Sequence, residues 1–335
     1  KRSRGTMGTT RRSGHYHFVL PHGRQRRKEL ETKDYFGRWE QQAHRNSPVM
    51  RRILFEIPLP FLQKSLPVYS YGFMLMVAFF AAITIARWRA RKEGIDPNKI
   101  TDLGIYIVCA GILGARVFYI IQFFDDYRNN LLSLFKVYEG GLVYYGGLFA
   151  AVITLFVFVR KHRLSFLNIL DIVTPSAALG LGFGRIGCFL NGCCFGKIAP
   201  HIPWAIQFPR TMDKTGMVDG SPAFLHQYEL GLVHLSDTHA LPIHPTQLYS
   251  FLSDVALFFI LSVFFKYRKR NGEVFLLFGI IYPIIRFCME ALRSDNPLFF
   301  NLFTIAQIIS ISMFVVSVPL FVISRIKPTR GISKT

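Results

Sequence analysis

Acidic residues are in short supply: 20 Asp and Glu face 40 Lys and Arg, a formal net charge of +20. A nucleic-acid binder can show such a balance. Here the basic residues are scattered between apolar runs, which argues against nucleic acid as a partner. Cysteine is also scarce, with five in 335 residues. Its one cluster reads C-x4-C-C, and adjacent cysteines chelate a tetrahedral ion poorly, so neither a metal nor another cofactor is expected. No internal repeat is evident. The first 49 residues hold no continuous apolar stretch of the kind a secretory signal needs. What is abundant is apolar: 51% hydrophobic residues with 33 Phe, and a mean hydropathy of +0.29. That composition belongs to a membrane protein.

Residues 1–49 carry 12 Lys/Arg against 4 Asp/Glu with little apolar periodicity, the pattern of a disordered basic tail. The change of character at Met50 leads us to expect translation to start near it. Seven windows are apolar and long enough to cross a bilayer as helices: 70–88, 102–124, 142–160, 168–190, 247–265, 274–292 and 303–324. The expected fold is an all-α seven-span bundle over residues 50–325, with a short basic tail at 326–335. Clusters such as Arg87-Trp88-Arg89, Arg160-Lys161, Lys266 to Arg270 and Arg325 follow the odd-numbered spans. Lys and Arg stay cytoplasmic, so the N-terminus is expected outside and the C-terminus inside. The loop 191–246, with several His, is expected to form a small outward cap between spans 4 and 5.

Ionisable groups inside spans are informative, because an arginine at mid-bilayer costs about 2.5–3.5 kcal/mol and needs a partner, water or a ligand. Arg116, Arg185 and Arg286, with Arg293 just beyond, stand against Asp171 and Glu290. Arg286, Glu290 and Arg293 share one helical face at i, i+4 and i+7. One reading is structural: Arg286 and Glu290 neutralise each other, and Arg116 pairs with Asp171 or lies near an interface. The other is that surplus guanidinium binds an anion, and a bidentate fork suits phosphate. A lipid headgroup is the phosphate available at that depth.

The densest stretch is Gly184 to Gly196, GRIGCFLNGCCFG. Its glycines permit close helix packing, or backbone N–H contact with a phosphate. Its thiols leave a disulfide of Cys188 with Cys193 or Cys194 open, and five downstream His leave a metal site open. Tyr145, in GGLVYYGG, sits where glycines predict a non-helical entry to the third span. Tyr71, Tyr144 and Tyr249 supply further hydroxyls.

GRIGCFLNGCCFG, together with SYGFML, GILGAR, EGGLVYYGG, PWAIQFP, HPTQLYS, RFCMEALRSDNP and AQIIS, resembles the phosphatidylglycerol–prolipoprotein diacylglyceryl transferases of bacteria, in order over roughly residues 55–325. The resemblance implies transfer of diacylglyceryl from phosphatidylglycerol to the lipobox cysteine of a prolipoprotein signal peptide, at the inner membrane. It implies that Arg185 binds the lipid phosphate, that Arg286 is a second essential arginine followed by Glu290 and Arg293, and that Tyr71 is functional. Arg116, Asn191, Gly196, His244 and Tyr249 complete the expected substrate-binding set. Three departures stand out. Tyr145 replaces a histidine of the family, Cys188 replaces the signature asparagine, and Cys193 replaces the signature glutamate. A non-catalytic or transport protein with an arginine-lined pocket for anionic lipid is the alternative.

Overall fold

A computed structural model describes residues 52–59, 64–124, 141–210, 221–296 and 302–326. The expected basic tail, the start near Met50, most of loop 125–141 and all of 326–335 except Ile326 lie outside the described residues.

The described residues begin with an antiparallel hairpin, β1 (Ile53–Leu59) and β2 (Lys64–Tyr69). An all-α reading did not anticipate it. Pro58 and Pro67 both fall in these strands, which a two-stranded ribbon tolerates because each strand is an edge. Then come α1 (Ser70–Lys92), α2 (Pro97–Gln122), α3 (Tyr144–Lys161), α4 (Phe166–Asn191), α5 (Pro222–Glu229), α6 (Thr246–Tyr267), α7 (Glu273–Leu292) and α8 (Ile305–Ile326). Seven of these, all but α5, are long and apolar enough to cross a membrane. The expected spans fall on them, with ends displaced by up to five residues where caps decide. Asp96, for example, accepts a hydrogen bond from the Asn98 N–H at 2.9 Å and Pro97 opens α2, so this helix begins before the apolar run does.

Helix α4 is the axis of the bundle: 44% of its apolar window is buried, against 11–22% for the other six. It packs on α1, α6 and α7, while α2 and α3 pair with each other. The α2–α3 crossing is close because glycines face each other. A Cβ on Gly114 would lie 2.6 Å from the Gly146 carbonyl oxygen, so any side chain there would push the helices apart.

One end of the bundle is latched by ionic contacts. Asp171 of α4 is fully buried. It accepts hydrogen bonds from the N–H groups of Gly272 (2.7 Å), Val274 (3.0 Å) and Phe275 (3.0 Å), and from Arg268 Nη1 (3.2 Å). The carboxylate thus caps the N-terminus of α7, where unsatisfied donors and the helix dipole favour negative charge. Arg268 also pairs with Glu93, and Glu273 with Arg325 at 3.2 Å. The pairing of Arg116 with Asp171 does not occur. Arg116 Nη1 instead donates to the Gly141 carbonyl at 3.2 Å, at the entry to α3.

The opposite end carries the cap. Helix α5 starts at Ser221, whose Oγ accepts from the Phe224 N–H at 3.1 Å. Isolated bridges Ile198↔Ile243, Ile206↔Ile243 and Pro209↔His239 tie the surrounding loop. Phe195, Phe208, Ala223 and Ile243 form its core.

Candidate active site

Where the cap meets the bundle, α1, α4, α6 and α7 converge on a polar cluster. Arg185 lies two turns from the end of α4, about 21 Å along the helix from Asp171 at 1.5 Å per residue. It is within electrostatic range of Tyr282, Cys194, Cys188 and Asp254. Arg286 faces Arg185, Arg293 and Tyr282. The residues expected to act together, Tyr71, Arg185, Arg286, Glu290 and Arg293, are therefore brought together.

The three arginines differ in their commitments. Arg286 Nη2 pairs with Glu290 Oε2 at 2.9 Å, as the i, i+4 spacing suggested, and Asn296 donates to the other carboxylate oxygen. Arg293 forms a bidentate fork with Asp295, 2.9 and 2.8 Å. Arg185 makes no ion pair among the described residues. Within this cluster of three arginines, the positive charge left without an ion pair among the described residues is that of Arg185. Asp171 is spent at the far latch, but a further acid, Asp254 of α6, is buried within range of Arg185 and Arg286. The sequence comparison of arginines with acids omitted it, although a lone Asp in SDVALFF was a visible signal. Tyr282 was missed for lack of any charge to mark it.

Tyr71, the second residue of α1, reaches this cluster because α4 is thin there. A Cβ on Gly187 would sit 3.1 Å from Tyr71 Cδ2, and Tyr71 lies near the three thiols and Arg185. Those thiols, of Cys188, Cys193 and Cys194, are free, so the disulfide left open by the sequence is not formed. They lie within 4.8 Å of one another, closer than C-x4-C-C suggested. The cause is backbone: Gly192 (φ 72°) and Cys194 (φ 58°) both adopt left-handed conformations, folding 193–194 back over the last turn of α4. Hydrogen bonding with Cys188 and Cys193 pulls the Cys194 thiol below the ordinary thiol range, and Arg293 and Arg185 act in the same direction. The Cys193 thiol donates to the Cys188 carbonyl at 3.7 Å, and Asn191 lies close to it.

Gly196 joins cap to site. It bridges Arg293, and its N–H donates to the His244 carbonyl at 3.2 Å. His244 Nδ1 lies 3.4 Å from the Tyr249 hydroxyl, which accepts from Trp204 Nε1 at 2.6 Å. Burial lowers the His244 pKa, so its ring stays neutral near pH 7. Tyr145 stands apart. It is the second residue of α3, 47% exposed, with its ring against Tyr144 at 5.6 Å. Tyr144 is the residue within range of Tyr282. The non-helical entry expected around Tyr145 is confined to Gly141 to Val143, and Tyr145 itself is helical.

A family model described as prolipoprotein diacylglyceryl transferase matches residues 58–323. The chain is 34% identical over 281 residues to a phosphatidylglycerol–prolipoprotein diacylglyceryl transferase of Xanthomonas oryzae pv. oryzae (strain PXO99A), covering 81% of this chain and 92% of that one. It is 36% identical, with the same coverage, to the protein of that name from Xanthomonas campestris pv. campestris (strain B100).

Proposed function

Because the chain belongs to the prolipoprotein diacylglyceryl transferase family, we infer that it transfers diacylglyceryl from phosphatidylglycerol to the lipobox cysteine thiol of prolipoproteins. A thioether forms and glycerol phosphate is released. The protein is a multi-pass membrane enzyme. We place it in the bacterial inner membrane with the cap outward, because the ends of α1, α3, α6 and α8 that carry Arg and Lys gather on the other face.

One observation carries the reading: Arg185 is the uncommitted guanidinium among three, set where an apolar bundle meets its cap. It binds the lipid phosphate. As the thiolate sulfur attacks the glycerol carbon bearing the phosphate, the C–O bond breaks and negative charge grows on the departing oxygen. A donor already fixed in a dry site stabilises that charge without reorganisation. Asp254 lies within electrostatic range of Arg185, while Glu290 and Asp295 hold Arg286 and Arg293 at its rim. Tyr71 and Asn191 line the approach of the thiol. Gly196, His244 and Tyr249 join the cap to it. Arg116 and Tyr145 flank the entry to α3, where the acyl region of the lipid passes.

The test is transfer from phosphatidylglycerol to a lipobox peptide in vesicles. Arg185→Ala should lose about 10²–10³-fold in rate, the cost of one preorganised donor, while Arg185→Lys recovers part of it. A wild-type chain that binds phosphatidylglycerol but leaves the peptide thiol unmodified would overturn the assignment.

A further inference from the structure

We propose that Cys188, Cys193 and Cys194 form a three-thiolate site for a zinc-class ion, and that the fourth coordination position takes the incoming lipobox thiol. The proposal rests on the transferase reading above and adds to it the group that deprotonates the nucleophile.

The distances fit. Zinc–thiolate bonds are about 2.3 Å, so two sulfurs on one tetrahedral ion lie roughly 3.8 Å apart. The three Sγ atoms already lie within 4.8 Å of one another, and rotamer adjustment of roughly 1 Å completes the geometry. The backbone is built to hold them there. Cys194 adopts φ 58°, a conformation that is unfavourable for a non-glycine residue and persists only where its surroundings enforce it. Those surroundings are visible: Gln247 Nε2 donates to the Cys193 carbonyl at 2.7 Å and Thr246 Oγ1 to the Cys194 carbonyl at 2.8 Å. The Cys193 N–H donates to the Cys188 carbonyl at 3.1 Å. The turn is thus pinned to α6 on one side and to α4 on the other.

Charge and vacancy in the coordination shell agree. Three thiolates around a divalent ion leave one negative charge, and both Arg293 and Arg185 lie within range of it. Among the described residues, the cluster of metal-capable side chains supplies these three ligands. Zinc is four-coordinate, and catalytic sites keep one position for water or substrate. The arginine assigned to the lipid phosphate, Arg185, lies within electrostatic range of Cys188 and Cys194.

The step balances. A thiol that coordinates the ion is deprotonated outright, and its proton leaves to water. The thiolate forms a carbon–sulfur bond to the glycerol carbon as the carbon–oxygen bond to phosphate breaks. The electron pair departs on the glycerol phosphate, whose added negative charge the released proton balances. Nothing is oxidised or reduced.

The full chain in phosphatidylglycerol nanodiscs, stripped with chelator, is titrated with Zn²⁺ and separately with Co²⁺ as a spectroscopic probe. Binding of one ion per chain is expected, with sulfur-to-cobalt charge transfer in the Co²⁺ form. A lipobox peptide with cysteine should change that spectrum, and the same peptide with serine should not. Cys193→Ser should weaken Zn²⁺ binding by at least the ~10–100-fold that outer-shell partners alone command. Cys109→Ser, an exposed thiol on α2, should leave it unchanged. Failure to bind Zn²⁺, binding indifferent to Cys193→Ser, a disulfide within the trio in unreduced protein, or a spectrum unmoved by the cysteine peptide would each overturn the proposal. Full transfer activity in the metal-free chain would sink the metal and leave the transferase reading intact. Absence of transfer from metal-loaded and metal-free chains alike would sink the transferase reading itself.

Discussion

Gly196→Ala offers a sharp test of how the cap governs the site. A Cβ at this position would lie 2.5 Å from His244 Cβ, 2.6 Å from the His244 carbonyl oxygen and 2.9 Å from Thr246 Cγ2. Carbon pairs pack at about 3.5–4.0 Å, so a displacement of roughly 1 Å is required. Two of the opposing atoms are Cβ and backbone, which no rotamer can withdraw. The Gly196 strand must therefore move, and its bridge carries Arg293 with it. A misplacement of about 1 Å in a catalytic group costs about 10²-fold, which corresponds to about 2.7 kcal/mol of barrier. Overpacking of this kind destabilises by about 1–3 kcal/mol, tolerable for a bundle latched at its other end. The assay is initial-rate transfer from phosphatidylglycerol to a lipobox peptide, with thermal unfolding in the same detergent as a control for folding. Gly184→Ala is the companion variant, since nothing lies within 4 Å of its added Cβ. The expected pattern is a loss of about 10–100-fold for Gly196→Ala and less than about twofold for Gly184→Ala. A folded Gly196→Ala enzyme with wild-type rate would refute the coupling of cap to site.

Further outcomes are expected. Asp171→Asn should lower the melting temperature, because removing one member of a buried pair costs about 3–5 kcal/mol. Transfer per folded molecule should hold at low temperature, because the latch is at the far end; a selective loss of rate without loss of stability would contradict that placement. His244 has its folded pKa lowered by burial, so its stabilising contribution is present above the unfolded value of about 6.5 and fades as pH falls below it. Melting temperatures from pH 8 to pH 5 should therefore drop in wild type more than in His244→Gln, and parallel curves would refute the assignment. Trp204→Phe removes the 2.6 Å donor to Tyr249. It should raise the peptide KM more than it lowers kcat, and an unchanged KM would count against a cap role in substrate contact.

Much of this was legible in the residue pattern, for identifiable reasons. Apolar windows must cover the bilayer, so the seven spans announced themselves. The Arg286–Glu290 pair followed from helical periodicity alone, with no knowledge of neighbouring helices. What escaped was long-range. Asp171 finds its partners about a hundred residues downstream, and its attribution to Arg116 failed because charge matching carries no information about which end of the bundle a residue occupies. The proximity of the three thiols was not legible in C-x4-C-C, because it depends on how the chain turns after the helix. Two left-handed residues end that helix and reverse the chain. The hairpin at Ile53–Tyr69 was obscured by its two prolines.

The Asp171 latch also bears on how the protein is made. Ribosomes extend chains at about 5–20 residues per second, and about 100 residues separate Asp171 from the donors at 268–275. For roughly 5–20 seconds, α4 sits in the translocation machinery with a carboxylate whose partners have not been synthesised. Completion of the bundle waits on the arrival of α7. A chain truncated before Arg268 has made the buried carboxylate of its most buried helix and none of the groups that hold it.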